Sequence, residues 1–204
     1  MNEKFYSLPD SKQNAIINAG YKVFSLNSYK KSPMSEVAEA AGISKSLLFH
    51  YFRNKLEFYI FLWDKCAETT IEYLTKYKCY EQTDLFESMS LGLKAKISLM
   101  KKYPYIGMFA LKAFYETDPS VSAAVQESYQ KYFNLKLDRT RLNFDSDKFI
   151  AGLDVKMMYQ DMFWAAEGYL WEKMQNDNFD VDEMEVEFRR IIDFWKSIYL
   201  RKEN

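Results

Sequence analysis

Residues 32–55 read SPMSEVAEAAGISKSLLFHYFRNK, and the glycine at position 42 makes this stretch the strongest constraint on the fold. Ser32 can cap a helix whose first position is Pro33, where a preset φ helps and the missing N–H is no loss. Val37, Ala38 and Ala41 give that helix an inner face of small side chains. Gly42 terminates it by taking the positive φ such an ending needs, Ile43 plugs the turn, and Ser44 can cap a second helix running through Phe52. Two short helices joined by a glycine turn of about three or four residues form a helix-turn-helix.

On the second helix Leu48 and Phe52 lie four residues apart and share the inward face. That spacing turns Ser46 and His50 outward, with Lys45, Leu47, Phe49 and Tyr51 on the flanks. A cation, hydroxyls, an imidazole and aromatic edges are the groups that meet base edges and phosphates in a major groove. Lys45, Ser46, Leu47 and His50 are candidate base contacts. Ser32, Tyr51 and Lys55 are candidate phosphate contacts, and Ser44 and Phe49 complete the DNA-facing set. A plain surface helix with stray aromatics is the bland alternative. The succession of Phe, His and Tyr, with Lys55 close behind, argues against it.

Positions 12–58 resemble the N-terminal domain of the tetracycline-repressor (TetR) family. The residues that carry the likeness are Ala19-Gly20-Tyr21-Lys22-Val23-Phe24 at the end of a first helix, Ser28-Tyr29, Ser32, Val37-Ala38, Ala41-Gly42-Ile43-Ser44-Lys45, Phe49-His50-Tyr51-Phe52 and Lys55. Two positions depart from the family pattern: Ser28 replaces the usual Gly before the aromatic, and Phe49 replaces the usual Tyr, removing a hydroxyl. The resemblance implies an all-α protein with a three-helix helix-turn-helix DNA-binding domain over residues 1–55. A larger helical ligand-binding and dimerisation domain would follow over 56–204. Such a protein regulates transcription, commonly as a repressor, by binding a pseudo-palindromic double-stranded DNA operator as a homodimer until a small-molecule effector releases it.

Charge is distributed as that role needs. The chain carries a net charge of −1, yet residues 1–55 hold eight Lys and Arg against four acids. The basic surplus therefore sits at the end with the motif, where attraction to phosphates would use it.

The chain as a whole is 48% hydrophobic and poor in Gly and Pro, and its part beyond residue 55 reads as helices. Tyr59, Leu62, Trp63, Cys66, Tyr73, Leu74 and Tyr77 repeat at helical spacing in one long helix from Lys55. Further helices are expected over 84–103, closed by Pro104, over 106–115, over 118–137, over 147–175 and over 182–202. The polar stretch 143–147 should break the chain between the third and fourth of these. The final helix has one apolar stripe, Met184, Phe188, Ile191, Ile192, Trp195, Ile198 and Tyr199. The helix before it is apolar nearly all round, so a partner subunit is its simplest cover. A homodimer through the last two helices is thus expected both from their pattern and from the resemblance.

Aromatic excess marks the same region, with 16 Phe, 16 Tyr, 4 Trp and 10 Met in the chain. Core packing accounts for most of these, but many tyrosyl hydroxyls need partners that a cavity wall supplies. The resemblance implies a ligand cavity. Candidate lining residues are Tyr73, Tyr77, Met89, Tyr105, Phe109, Phe114, Tyr129, Phe133, Met158, Met162, Phe163 and Glu167. Glu167 would suit a cationic effector, whereas Lys94, Lys96 or Lys112 would suit an acid, and the residues leave both open.

Other classes are disfavoured. His50 is the only histidine and lies on the reading helix, which argues against His-based catalysis or a His-based metal site in the body. The run Asp177, Asp180, Asp182, Glu183, Glu185 lacks the glycine and register of a calcium loop and reads as a solvated turn with a helix cap. No catalytic residue, metal or cofactor is expected. Carboxylate-based catalysis and a DNA-free helical adaptor are the alternatives, and an adaptor has no use for the basic N-terminal face. Cys66 and Cys79 read as reduced packing thiols, and no 18-residue apolar run suggests a membrane span. A cytoplasmic protein is expected.

Overall fold

The computed structural model describes residues 3–139, 146–174 and 180–201. Among the described residues the order is α1 (Glu3–Tyr6), α2 (Asp10–Leu26), α3 (Met34–Ala40), α4 (Lys45–Tyr51), α5 (Lys55–Lys76), α6 (Leu85–Lys102), α7 (Ile106–Phe114), α8 (Ser122–Arg139), α9 (Val155–Met174) and α10 (Val181–Tyr199). No strand occurs among them; the one β feature is an isolated bridge between Phe149 and Leu200. The chain separates into two compact units, Met1–Thr69 with Lys102–Asn134, and Thr70–Lys101 with Leu135–Asn204.

The first unit is built around α2 and the front of α5. Gly20 permits their contact: a Cβ there would lie 2.5 Å from Leu62 Cδ1 and 2.8 Å from Phe58 Cζ. Rings then fill the centre. Phe24 meets Tyr59 edge-on at 4.9 Å, and Phe109 of α7 lies 5.1 Å from Tyr21 and 5.3 Å from Tyr59. The buried hydroxyls find partners, as Tyr21 donates to the Leu62 carbonyl and Tyr103 to Asn14 Oδ1. At the α5–α8 contact Ser128 donates to Asp64 and Tyr132 to Glu68.

Helix α1 has too few residues for periodicity to reveal it. Its purpose is visible in packing, since Phe5 is buried among Tyr51, Phe52 and Phe61 with ring separations of 6.1, 5.2 and 5.1 Å.

In the second unit α10 buries Met184, Ile192 and Trp195 of the expected stripe. Phe188 of that stripe meets Tyr169 of α9 edge-on at 5.4 Å. Beside it Tyr169 donates to Glu187, which also pairs with Lys173. Asp180 caps α10 by accepting from the backbone N–H groups of Asp182 and Glu183; Asp177 of the same acidic run lies outside the described residues. The chain after α10 returns to Phe149, with Arg201 Nε donating to its carbonyl at 2.7 Å.

Two helix starts differ from the periodicity reading. The helix expected from residue 118 begins at Ser122, because Asp118 spends its carboxylate on the N–H of Ser120 in a turn. The helix expected from 147 begins at Val155. Gly152, at φ +77°, diverts the backbone, and Asp154 then caps α9 by accepting from Met157 N at 3.0 Å. Most of the expected break at 143–147 lies outside the described residues.

Gly20→Ala should destabilise the protein by about 1–3 kcal/mol, because Leu62 and Phe58 are both fully buried and must yield together. Thermal unfolding should show the loss, and an unchanged midpoint would contradict the close contact of α2 with α5.

Candidate nucleic-acid interface

The turn between α3 and α4 is closed by its own backbone. Gly42 takes φ +68°. Its N–H reaches the Glu39 carbonyl and the Ile43 N–H reaches the Ala38 carbonyl, each at 3.0 Å, so two of the last carbonyls of α3 are satisfied. Ser44 then caps α4, its Oγ accepting from Leu47 N at 3.1 Å and lying 3.0 Å from Ser46 Oγ. Leu48 and Phe52 are buried beneath the helix, as their spacing indicates. Ser44, Lys45, Ser46, Leu47, Phe49 and His50 are exposed. The Lys45 ammonium lies 5.9 Å from the Phe49 ring centre, so these two side chains share one flank. A helix of seven residues is about 10 Å long, short enough to enter a major groove end-on or along its floor.

The three candidate phosphate contacts have partners within the protein. Ser32 does not cap α3, which begins at Met34 behind Pro33 with no side-chain cap. It is fully buried, and its hydroxyl donates to the carbonyls of Ser28 and Val23, so it ties the loop ahead of α3 to the end of α2. Tyr51 is buried rather than flanking, because Phe5 brings α1 against it. Lys55 turns toward the loop before α3, with its ammonium 4.4 Å above the Tyr29 ring and 3.4 Å from the Lys30 carbonyl. Phe5 and Tyr29 support the reading helices from outside the motif, and no local spacing could have pointed to them.

The candidate ligand-lining residues divide between the units. Tyr105, Phe109, Phe114 and Tyr129 belong to the first; Tyr73, Tyr77, Met89, Met158, Met162, Phe163 and Glu167 belong to the second. The side chain of Phe133 lies outside the described residues. Phe109 is packed wholly inside the aromatic centre formed with Tyr21, Phe24 and Tyr59. Phe114 meets Tyr129 at 4.9 Å, and Met158 and Met162 are buried. Tyr73, Tyr77, Met89, Tyr105 and Glu167 are half-buried. Phe163 is 46% exposed and therefore lies on the outer surface of its unit. Helix α9 also exposes Met157, Trp164 and Trp171, and α10 exposes Val186, Phe194 and Ile198. The last helix thus exposes Val186 and Phe194 beyond its apolar stripe and Ile198 within it.

Residues 16–60 match the sequence model of the bacterial regulatory proteins of the tetR family, a span that contains α3, the glycine turn and α4. Over that span the chain carries a helix-turn-helix domain of the TetR type. The chain is 22% identical over 162 residues to the fatty acid metabolism regulator protein of Bacillus subtilis (strain 168), covering 79% of this chain and 83% of that protein. It is 24% identical over 126 residues to the HTH-type transcriptional activator FasR of Mycolicibacterium smegmatis, covering 61% and 57%. Its fold resembles that of the transcriptional regulator FadR from Bacillus subtilis in complex with stearoyl-CoA, at TM-score 0.61 and 19% identity, over 90% of this chain and 97% of that one. The matched span is accordingly the DNA-binding domain of a transcription regulator. No helix among the chain's described residues is long and apolar enough to cross a membrane.

If α4 reads bases, Lys45→Ala combined with His50→Ala should relax the consensus recovered by selection from random DNA at symmetric positions, each lost contact contributing about 1–3 kcal/mol. An unchanged consensus would assign the discrimination to DNA shape instead.

Proposed function

We propose that the protein is a homodimeric repressor whose two α4 helices enter successive major-groove faces of a pseudo-palindromic operator. A long-chain acyl thioester is the proposed effector that releases it. The observation that carries the DNA half is the capped, rigidly seated α4 with Lys45, Ser46, Leu47 and His50 exposed along it. Two such heads would meet half-sites about 34–36 Å apart, or a multiple of that distance. In this reading residues 1–55 bind DNA, residues 56–204 bind the effector and dimerise, and the protein works in the cytoplasm alongside its operator.

Pairing of two copies is supported by the exposed apolar side chains of α9 and α10, with Trp164 58% and Phe194 59% exposed in the single chain. Apolar surface of that kind marks an interaction site. The acyl effector is supported by the relatives: one is a fatty acid metabolism regulator, and the similar fold of FadR holds stearoyl-CoA. It is also compatible with the half-buried and buried Met89, Met158 and Met162 of the second unit, which adapt to flexible chains. Only a modest preference is needed, since a coupling of about 1–3 kcal/mol changes operator affinity roughly 5- to 150-fold.

Stearoyl-CoA should weaken binding to the selected operator, whereas free CoA should not. If both leave the complex intact in a mobility-shift titration, the acyl assignment is wrong. Phe194→Glu places a carboxylate in the proposed interface, where leaving it unpaired costs several kcal/mol, while an isolated subunit leaves it hydrated. The variant should sediment as a folded monomer and lose operator affinity with its partner. A dimer of wild-type stability would contradict the interface.

A further inference from the structure

Glu116 stands just beyond α7, far along the chain from the reading helices, yet its carboxylate closes on the loop that leads into α3. One oxygen accepts the backbone N–H of Tyr29 at 2.8 Å. The other accepts the N–H groups of Thr117 and Asp118, each at 3.0 Å. The carboxylate is therefore fixed by its own loop while it grips another. A charged acceptor makes such bonds shorter and stronger than neutral ones.

Tyr29 is held from its other sides as well. The Lys55 ammonium covers its ring at 4.4 Å and reaches the Lys30 carbonyl. Tyr59 meets it edge-on at 5.0 Å, and Phe24 stacks on it at 6.3 Å. Burial lowers the Lys55 pKa, and Asp118 and Glu116 counter that by favouring its charged form. The acidic loop thus supports both the backbone of Tyr29 and the cation above its ring.

The position of this clasp gives it leverage. Ser32 N reaches back to the Tyr29 carbonyl, and Ser32 Oγ to those of Ser28 and Val23, so the short connection from Tyr29 to Met34 is braced throughout. The start of α3, and through the closed glycine turn the orientation of α4, follow from where Tyr29 is held. All of these residues lie in the compact unit that combines the N-terminal helices with α7 and the front of α8.

We propose that Glu116 is a positioning residue for operator binding, holding the reading helices through Tyr29 with Lys55 as the opposing half of the clasp. Withdrawal of the Glu116 loop is then the local event that frees the head, a step that rests on the effector-release reading above.

Glu116→Gln keeps an acceptor at the same reach, and Glu116→Ala removes it. In free full-length protein, amide exchange followed by NMR should be at least about tenfold faster at Tyr29 in the Ala variant and near wild type in the Gln variant. On operator selected with wild-type protein, the Ala variant should bind about tenfold more weakly with an unchanged salt slope, because no phosphate contact is removed. The Gln variant should stay within about threefold. Stearoyl-CoA should weaken wild-type binding and have little further effect on the Ala variant. A Tyr29 amide that stays protected in Glu116→Ala overturns the proposal, and so does an amide that opens with no change in operator affinity. Failure of stearoyl-CoA to act on wild type would overturn the acyl assignment alone, since the exchange and affinity comparisons are made without it.

Discussion

At Gly20 the backbone of α2 approaches α5 so closely that a Cβ would overlap Leu62 and Phe58, and the geometry of the DNA-reading unit depends on that approach. With the two helices at this spacing, Tyr21 and Phe24 reach Tyr59 and Phe109, and a continuous aromatic centre joins α2, α5 and α7. A second aromatic group, Phe5 with Tyr51, Phe52 and Phe61, fixes the far end of α4. The reading helix is short and marginal by itself, so its orientation comes from these contacts rather than from its own hydrogen bonds.

That arrangement separates support from recognition. Lys45, Ser46, Leu47 and His50 lie on the exposed side of the helix, while Leu48 and Phe52 of the same segment are immobilised below them. Side chains on a rigid element can discriminate between bases because their positions are set before contact. The basic surplus of residues 1–55, within a chain of net charge −1, concentrates attraction to phosphate at the same end.

What the sequence made legible was local. Gly42 and Ser44 act through bonds to residues within a few positions, so the turn and the α4 cap could be read directly, and Leu48 and Phe52 fell inward on spacing alone. The settings of Ser32, Tyr51 and Lys55 were not legible because they are tertiary: a carbonyl nine residues back, a ring from α1, and a loop whose aromatic lies 26 positions earlier. The start of α9 escaped for a related reason, since periodicity registers apolar content but not the positive φ that Gly152 adopts. Among the ligand-lining candidates, helical spacing marked burial without naming the neighbour; Phe109 proved to be core of the reading unit and Phe163 an outer side chain.

The central claim is that paired copies of α4 lie in the major groove of one face of DNA. Chemical footprinting on the selected operator, combined with methylation interference at guanine N7, tests it most directly. Two symmetric protected patches should appear with centres about 10 base pairs or a multiple apart, with interference inside each patch, because N7 faces the major groove. A single unsymmetric patch, or protection without any guanine N7 interference, would contradict the account.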